Sequence, residues 1–162
     1  MLFAIKHPER VEKLMVVDIA PKKYPSGHDA IFKALLEVPI DEITSREEVD
    51  EILSKNIPQK AIRLFLMKNL DRKGSSNKFE WKMNLHGIWD NYDQISQAIP
   101  DGKFEGDTLF LKGANSPYIS EADEQLIKKQ FPKAHIIAVP NAGHWVHADS
   151  PRAFMENTIK FL

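Results

Sequence analysis

Cysteine is absent from the 162 residues, and that absence alone excludes a disulfide framework, a thiolate metal site and a cysteine nucleophile. Neither sign of charge is in excess: 22 lysines and arginines face 23 acidic residues without a long block of one sign. No basic face therefore advertises nucleic acid or an anionic membrane as a partner. Long apolar runs are missing too. Met1-Leu2-Phe3-Ala4-Ile5 is too short for a secretory signal and gives way at once to Lys6-His7-Pro8-Glu9-Arg10, and no stretch approaches the ~20 apolar residues of a membrane span. There is no internal repeat and no low-complexity tract. What is present is 43% hydrophobic residues, enough to bury the core of one ordinary domain. The expectation is a soluble chain with a small neutral ligand, cytoplasmic unless a targeting segment precedes Met1.

Met1 to Ile5 reads as the tail of a helix, apolar without a start signal and stopped by His7-Pro8. The stretch from Val11 through Val16-Val17-Asp18 to Pro21 reads as a compact apolar strand ending at Asp18. From Ser26 to about Phe104 the pattern changes to short helices. Asp29 to Val38 is amphipathic, Thr44-Ser45-Arg46-Glu47-Glu48 carries two overlapping capping-box spacings, and Pro58 opens Ala61 to Met67. A polar turn is expected over residues 71–77, then a short half-exposed strand at Phe79, Trp81 and Met83, and a helix from Leu85 to about Ala98. An apolar-rich insertion of this size is either a lid or a helical subdomain with its own core. Strand pattern resumes at Thr108 to Gly113, followed by a helix capped at Ser120, a buried strand from Ala134 to Val139, and a last helix opened by Ser150-Pro151. Strand, helix, strand, helix predicts right-handed parallel crossovers and an α/β sheet.

The chemistry converges on Val139-Pro140-Asn141-Ala142-Gly143-His144-Trp145-Val146-His147. His144 falls where a strand hands over to a helix, on the edge beyond the carboxyl ends of parallel strands where sites are built. Gly143 is expected to let the backbone turn sharply before it, and Trp145 to pack beside its ring. Three strand ends deliver Asp18, Asn115-Ser116 and His144 to that same edge. A histidine base needs a carboxylate to hold its tautomer, and Asp18 is placed to supply one. Each residue also has a purely structural reading: Asp18 starting the turn at Pro21, Ser116-Pro117 as turn chemistry, His144 as a surface-loop residue. A metal reading of His144, His147 and Asp149 is weak, because in a loop the spacing fixes no common face and there is no H-E-x-x-H. No cofactor is implied.

Leu14 to Pro21, Leu109 to Ser116 and Val139 to Pro151 together resemble strands six, seven and eight of an α/β-hydrolase, the last including its catalytic-histidine loop. The chain resembles the YbfF-type acyl-ester esterases, which are similar to the mitochondrial abhydrolase-domain proteins. The resemblance implies a hydrolase core over residues 1–25 and 105–162 and a helical cap over residues 26–104. It implies His144 as base, Asp18 as the acid at the end of strand six, and Ser116 as a supporting hydrogen-bond partner where most members place the acid. The nucleophile motif G-x-S-x-G does not occur in the sequence, and Met1 to Ile5 resembles the helix that follows that elbow. The expectation is a C-terminal portion of a serine carboxylesterase, inactive alone, with the N-terminal half of the fold missing and a small-molecule acyl ester as substrate. Phe65, Trp81 and Trp89 suit an acyl pocket or a plain helical core. Carbon-carbon bond hydrolysis, peroxidase-like chemistry and a non-catalytic interaction module remain as alternatives.

Overall fold

The computed structural model describes residues 1–74, 76 and 78–162. In chain order the elements are α1 (Leu2–Lys6), β1 (Lys13–Val17), α2 (Asp29–Leu36), α3 (Arg46–Ser54), α4 (Lys60–Leu66), β2 (Leu70–Arg72), β3 (Phe79–Trp81), α5 (Leu85–Asp90), α6 (Tyr92–Ile95), β4 (Asp107–Gly113), α7 (Glu121–Gln130), β5 (Ala134–Val139), α8 (Val146–Asp149) and α9 (Pro151–Phe161). The chain divides into two units, Met1–Tyr24 with Gln97–Leu162, and Pro25–Ser96.

The first unit is built on a parallel sheet of order β1-β4-β5, with Val17 opposite Leu111 and Gly113 opposite Val139. Side chains alternate between faces along a strand, and here both faces are covered. Val16, Phe110 and Ala134 pack with Ala4 of α1 and Ile127 of α7, while Leu109, Leu111 and Val139 pack with Val146 of α8 and Phe154 of α9. β4 lies between its two partners, so Thr108 to Leu111 are all buried. β5 is less buried than its β-branched sequence suggests: it pairs with β4 alone among the described residues, and Ile137 is 37% exposed. Residues 97–104 fall in this unit. Ile99 N donates to Pro21 O at 3.0 Å, and Phe104 is buried against Phe131.

The α7 start shows how local sequence sets an element. The Asp123 carboxylate accepts from Ser120 N at 2.8 Å, Ser120 Oγ at 2.7 Å and Lys22 Nζ at 2.6 Å. Burial raises the Asp123 pKa, but the Lys22 and Ser120 donors together outweigh it and hold the carboxyl below its ordinary value. That stabilisation is present above the unfolded-state value of about 3.9 and is lost as pH falls through the lowered folded value. Asp123→Asn is expected to cost about 1 kcal/mol near neutral pH. Urea unfolding should show the gap from wild type closing in acid, since protonating Asp123 removes from the wild type the charge that the variant already lacks.

The second unit has its own core, in which Phe32, Leu35, Val49, Leu53, Met67 and Phe79 are buried. Ser45 caps α3, its Oγ accepting from Glu48 N at 3.2 Å, while the Glu48 side chain reaches past the cap to Thr44 Oγ1 at 2.6 Å. Pro58 stands one residue outside the N-cap Gln59 of α4. β3 pairs antiparallel with β2, whose Asp71 and Arg72 fall at the start of the expected turn. Of the turn expected over residues 71–77, Ser75 and Asn77 lie outside the described residues. The single helix expected from Leu85 to about Ala98 is instead α5 and α6, broken at Asn91. Asn91 Nδ2 donates to Gly87 O at 2.9 Å, a carbonyl four residues back, and such side-chain competition with the backbone disfavours helix continuation. Among the described residues no helix is long and apolar enough to cross a membrane.

Candidate active site

Asp18, Ser116 and His144 all lie in the first unit, at the carboxyl ends of its three strands. Asp18 is the first residue beyond β1. Its backbone N still donates to Leu111 O at 2.8 Å, but its φ is +48°, in the left-handed region that Asp tolerates better than most residues. Its carboxyl is fully buried. Oδ1 accepts from Gly113 N at 2.9 Å; Oδ2 accepts from the Ser116 hydroxyl and from His144 Nδ1, the latter at 2.8 Å. As a carboxylate, Asp18 has acceptor capacity for all three donors. With Asp18 ionised, Nδ1 carries the shared proton and Nε2 is left as the acceptor. The histidine side chain is 44% exposed against 0% for Asp18.

The Ser116 hydroxyl therefore hydrogen-bonds to the carboxylate. A turn places it there, Ser116 N donating to Gly113 O at 3.0 Å. Asn115 contributes its backbone, N donating to Ala142 O at 2.9 Å, which ties the loop after β4 to the histidine loop.

The sharp turn before His144 is not made by Gly143. The left-handed residue is Asn141, at φ +59°. Gly143 N donates to Asp149 Oδ2 at 2.8 Å, so Asp149 serves the shape of this loop. The ring stacked on His144 belongs to Tyr118, with centroids 3.8 Å apart and planes 14° from parallel. Trp145 is the N-cap residue of α8. The His147 ring stands edge-on to Phe154, 6.1 Å between centroids. Ser150 does not cap α9 through its side chain; its Oγ donates to Pro140 O at 3.1 Å.

The glycine that the site requires is Gly113, at the end of β4. A Cβ there would stand 2.1 Å from Gly143 O and 2.6 Å from Ala142 O, both backbone atoms of the histidine loop. Neither can move without displacing His144 or breaking the Asn115 bond to Ala142 O. Gly113→Ala is accordingly expected to destabilise the protein by about 3 kcal/mol, at the upper end for overpacking. Chemical denaturation measures the loss, and side-chain NMR of His144 would report displacement of the loop.

Tyr118 and its neighbour Tyr24 escaped the sequence reading. The only trace they leave there is an aromatic residue two positions beyond a strand-end serine, and a tyrosine in the loop after β1. Stacking across 26 residues of sequence separation has no local signature.

The chain is 38% identical to the mouse sn-1-specific diacylglycerol lipase ABHD11, an alignment taking in 100% of the chain and 54% of that protein. It is 33% identical to the esterase YbfF of Escherichia coli over 95% of the chain and 59% of that protein. The solved structure of a marine microorganism esterase superposes with a TM-score of 0.93 at 38% identity, covering 99% of the chain and 64% of that structure. The fold is that of an α/β-hydrolase. Its three parallel strands and flanking helices correspond to the C-terminal part of that fold, carrying a helical insertion. The chain spans about half the length of the mouse and Escherichia coli relatives. No protein-family model matches the chain.

Proposed function

We propose that this α/β-hydrolase chain supplies the acid and the base of a serine carboxylesterase that cleaves acyl esters of small molecules. The observation that carries the reading is the 2.8 Å bond from His144 Nδ1 to the fully buried Asp18 carboxylate, with the imidazole itself partly open to solvent. A buried, triply bonded carboxylate holds one histidine tautomer, which leaves Nε2 free to accept a proton. In the reaction Nε2 removes the proton of a serine hydroxyl as its oxygen attacks the ester carbonyl, and returns it to the departing alkoxide. Asp18 stabilises the imidazolium that exists between those steps. Ser116 and Gly113 N also donate to Asp18, one to each oxygen, so the carboxyl does not turn away from the ring. The mouse and Escherichia coli relatives, a lipase and an esterase by name, support ester substrates.

The nucleophile is proposed to come from residues outside this sequence, on a G-x-S-x-G elbow, since that motif does not occur in the chain. The second unit is proposed as the cap. Phe65 and Trp89, 48% and 38% exposed, offer its apolar surface to an acyl chain, whereas Trp81 packs against the core of that unit.

Labelling with a fluorophosphonate tests the division of roles. The chain alone is expected to remain unlabelled and to leave a p-nitrophenyl acyl ester intact. Joined to or co-expressed with a segment bearing the elbow, it is expected to turn the ester over and to take the label on the elbow serine. Labelling at Ser116 would contradict the reading, because that hydroxyl is committed to Asp18.

A further inference from the structure

We infer that Tyr118 is the positioning residue that fixes the plane of the His144 imidazole, an inference that rests on the catalytic reading of the Asp18–His144 pair. The bond from Nδ1 to Asp18 sets one distance and leaves the ring free to swing about it. A second constraint is needed to aim Nε2. Tyr118 provides it by lying face to face with the imidazole, 3.8 Å between centroids and 14° between planes.

The stacking ring is itself anchored on both sides. Tyr118 N donates to Ser116 Oγ at 3.3 Å, and that hydroxyl in turn donates to Asp18, so ring and carboxylate share one scaffold. The Tyr118 carbonyl accepts from the Tyr24 hydroxyl at 2.8 Å, and the two tyrosine rings lie 5.4 Å apart. The Tyr24 oxygen accepts from Ala20 N at 2.8 Å, two residues beyond Asp18. Burial raises the Tyr24 pKa; the Ala20 N–H opposes that, and the negative charges of Asp123 and Asp18 add to the rise. The phenol thus stays protonated and continues to donate to Tyr118. The loop after β1 carries Asp18 and Tyr24, and the loop after β4 carries Ser116 and Tyr118. The two loops are tied to each other by the Tyr24–Tyr118 and Ser116–Asp18 bonds.

The stack has a directional consequence. Tyr118 covers one face of the imidazole while Asp18 takes Nδ1, which leaves Nε2 for proton exchange.

Imidazole NMR of the chain as it stands tests this without any turnover. In the wild type, His144 is expected to show one tautomer, with an Nδ1–H protected from solvent exchange. Tyr118→Leu is expected to mix the tautomers and speed that exchange about three- to tenfold, the range set by aromatic pairing energies, whereas Tyr118→Phe stays within about twofold. Tyr24→Phe keeps every ring but removes the anchor to the Tyr118 carbonyl, and is expected to speed exchange about twofold even if the leucine variant does not fold. An Nδ1–H that is protected in the wild type and unchanged in Tyr118→Leu and Tyr24→Phe would overturn the positioning role and leave the acid-base pair standing. A wild-type histidine with no protected Nδ1–H would overturn the pair, and the positioning role with it.

Discussion

Replacing His144 by alanine is expected to lower turnover of an acyl ester by a factor on the order of 10⁶, measured in protein that combines this chain with the elbow-bearing segment. Without the imidazole, the serine hydroxyl has no acceptor for its proton and the alkoxide leaves unprotonated, so both half-reactions fail together. The loss should fall on kcat, since the imidazole exchanges protons with reacting groups and does not grip the substrate. Folding should be nearly untouched. The side chain is 44% exposed, and its hydrogen bond runs to Asp18. Asp18 keeps its bonds from Gly113 N and Ser116 when the ring is removed.

Asp18→Asn is expected to cost about 10⁴-fold in kcat. The amide preserves the shape of the carboxyl but brings two N–H donors where the site offers mainly donors: Gly113 N, the Ser116 hydroxyl and His144 Nδ1. If the asparagine oxygen keeps Gly113 N, its NH₂ faces the imidazole, and Nδ1 then serves as an acceptor with the proton moved to Nε2. That tautomer cannot take a proton from serine. The substituted site also leaves a buried polar group mismatched, so a stability loss of about 1–3 kcal/mol is expected alongside, measurable by denaturant titration of the chain alone. The two losses separate cleanly. Turnover is assayed well below the denaturation midpoint, where the folded population is unaffected.

Much of this arrangement was legible in the sequence because strands of a parallel sheet announce themselves as apolar runs and their ends fall on one edge. Val16-Val17-Asp18, Leu111 to Ser116 and Val139 to His144 are local signals, and the structure brings Ser116 and His144 within hydrogen-bonding reach of Asp18. What the sequence obscured depends on long-range contact or on side-chain competition with the backbone. Ser116 reads as a neighbour of the histidine but bonds to the carboxylate, a choice decided by a turn at Gly113. Gly143 looks like the turning residue, yet Asn141 adopts the left-handed conformation, and the glycine that cannot be replaced is Gly113, where two loops meet. Asn91 splits a helix that periodicity alone runs together. β5 reads as buried through its β-branched residues, but burial is set by how many neighbours a strand has. Tyr118 has no local signal because its partner ring lies in another loop.

The central claim is that Asp18 and His144 act as one unit on a serine, and a double-mutant cycle on kcat tests it most directly. If Asp18 works only through the imidazole, adding Asp18→Asn to His144→Ala costs nothing further, and the double variant turns over at the rate of His144→Ala alone. If the two losses multiply instead, to about 10¹⁰-fold or to the detection limit below His144→Ala, Asp18 has a role independent of His144 and the paired reading is wrong.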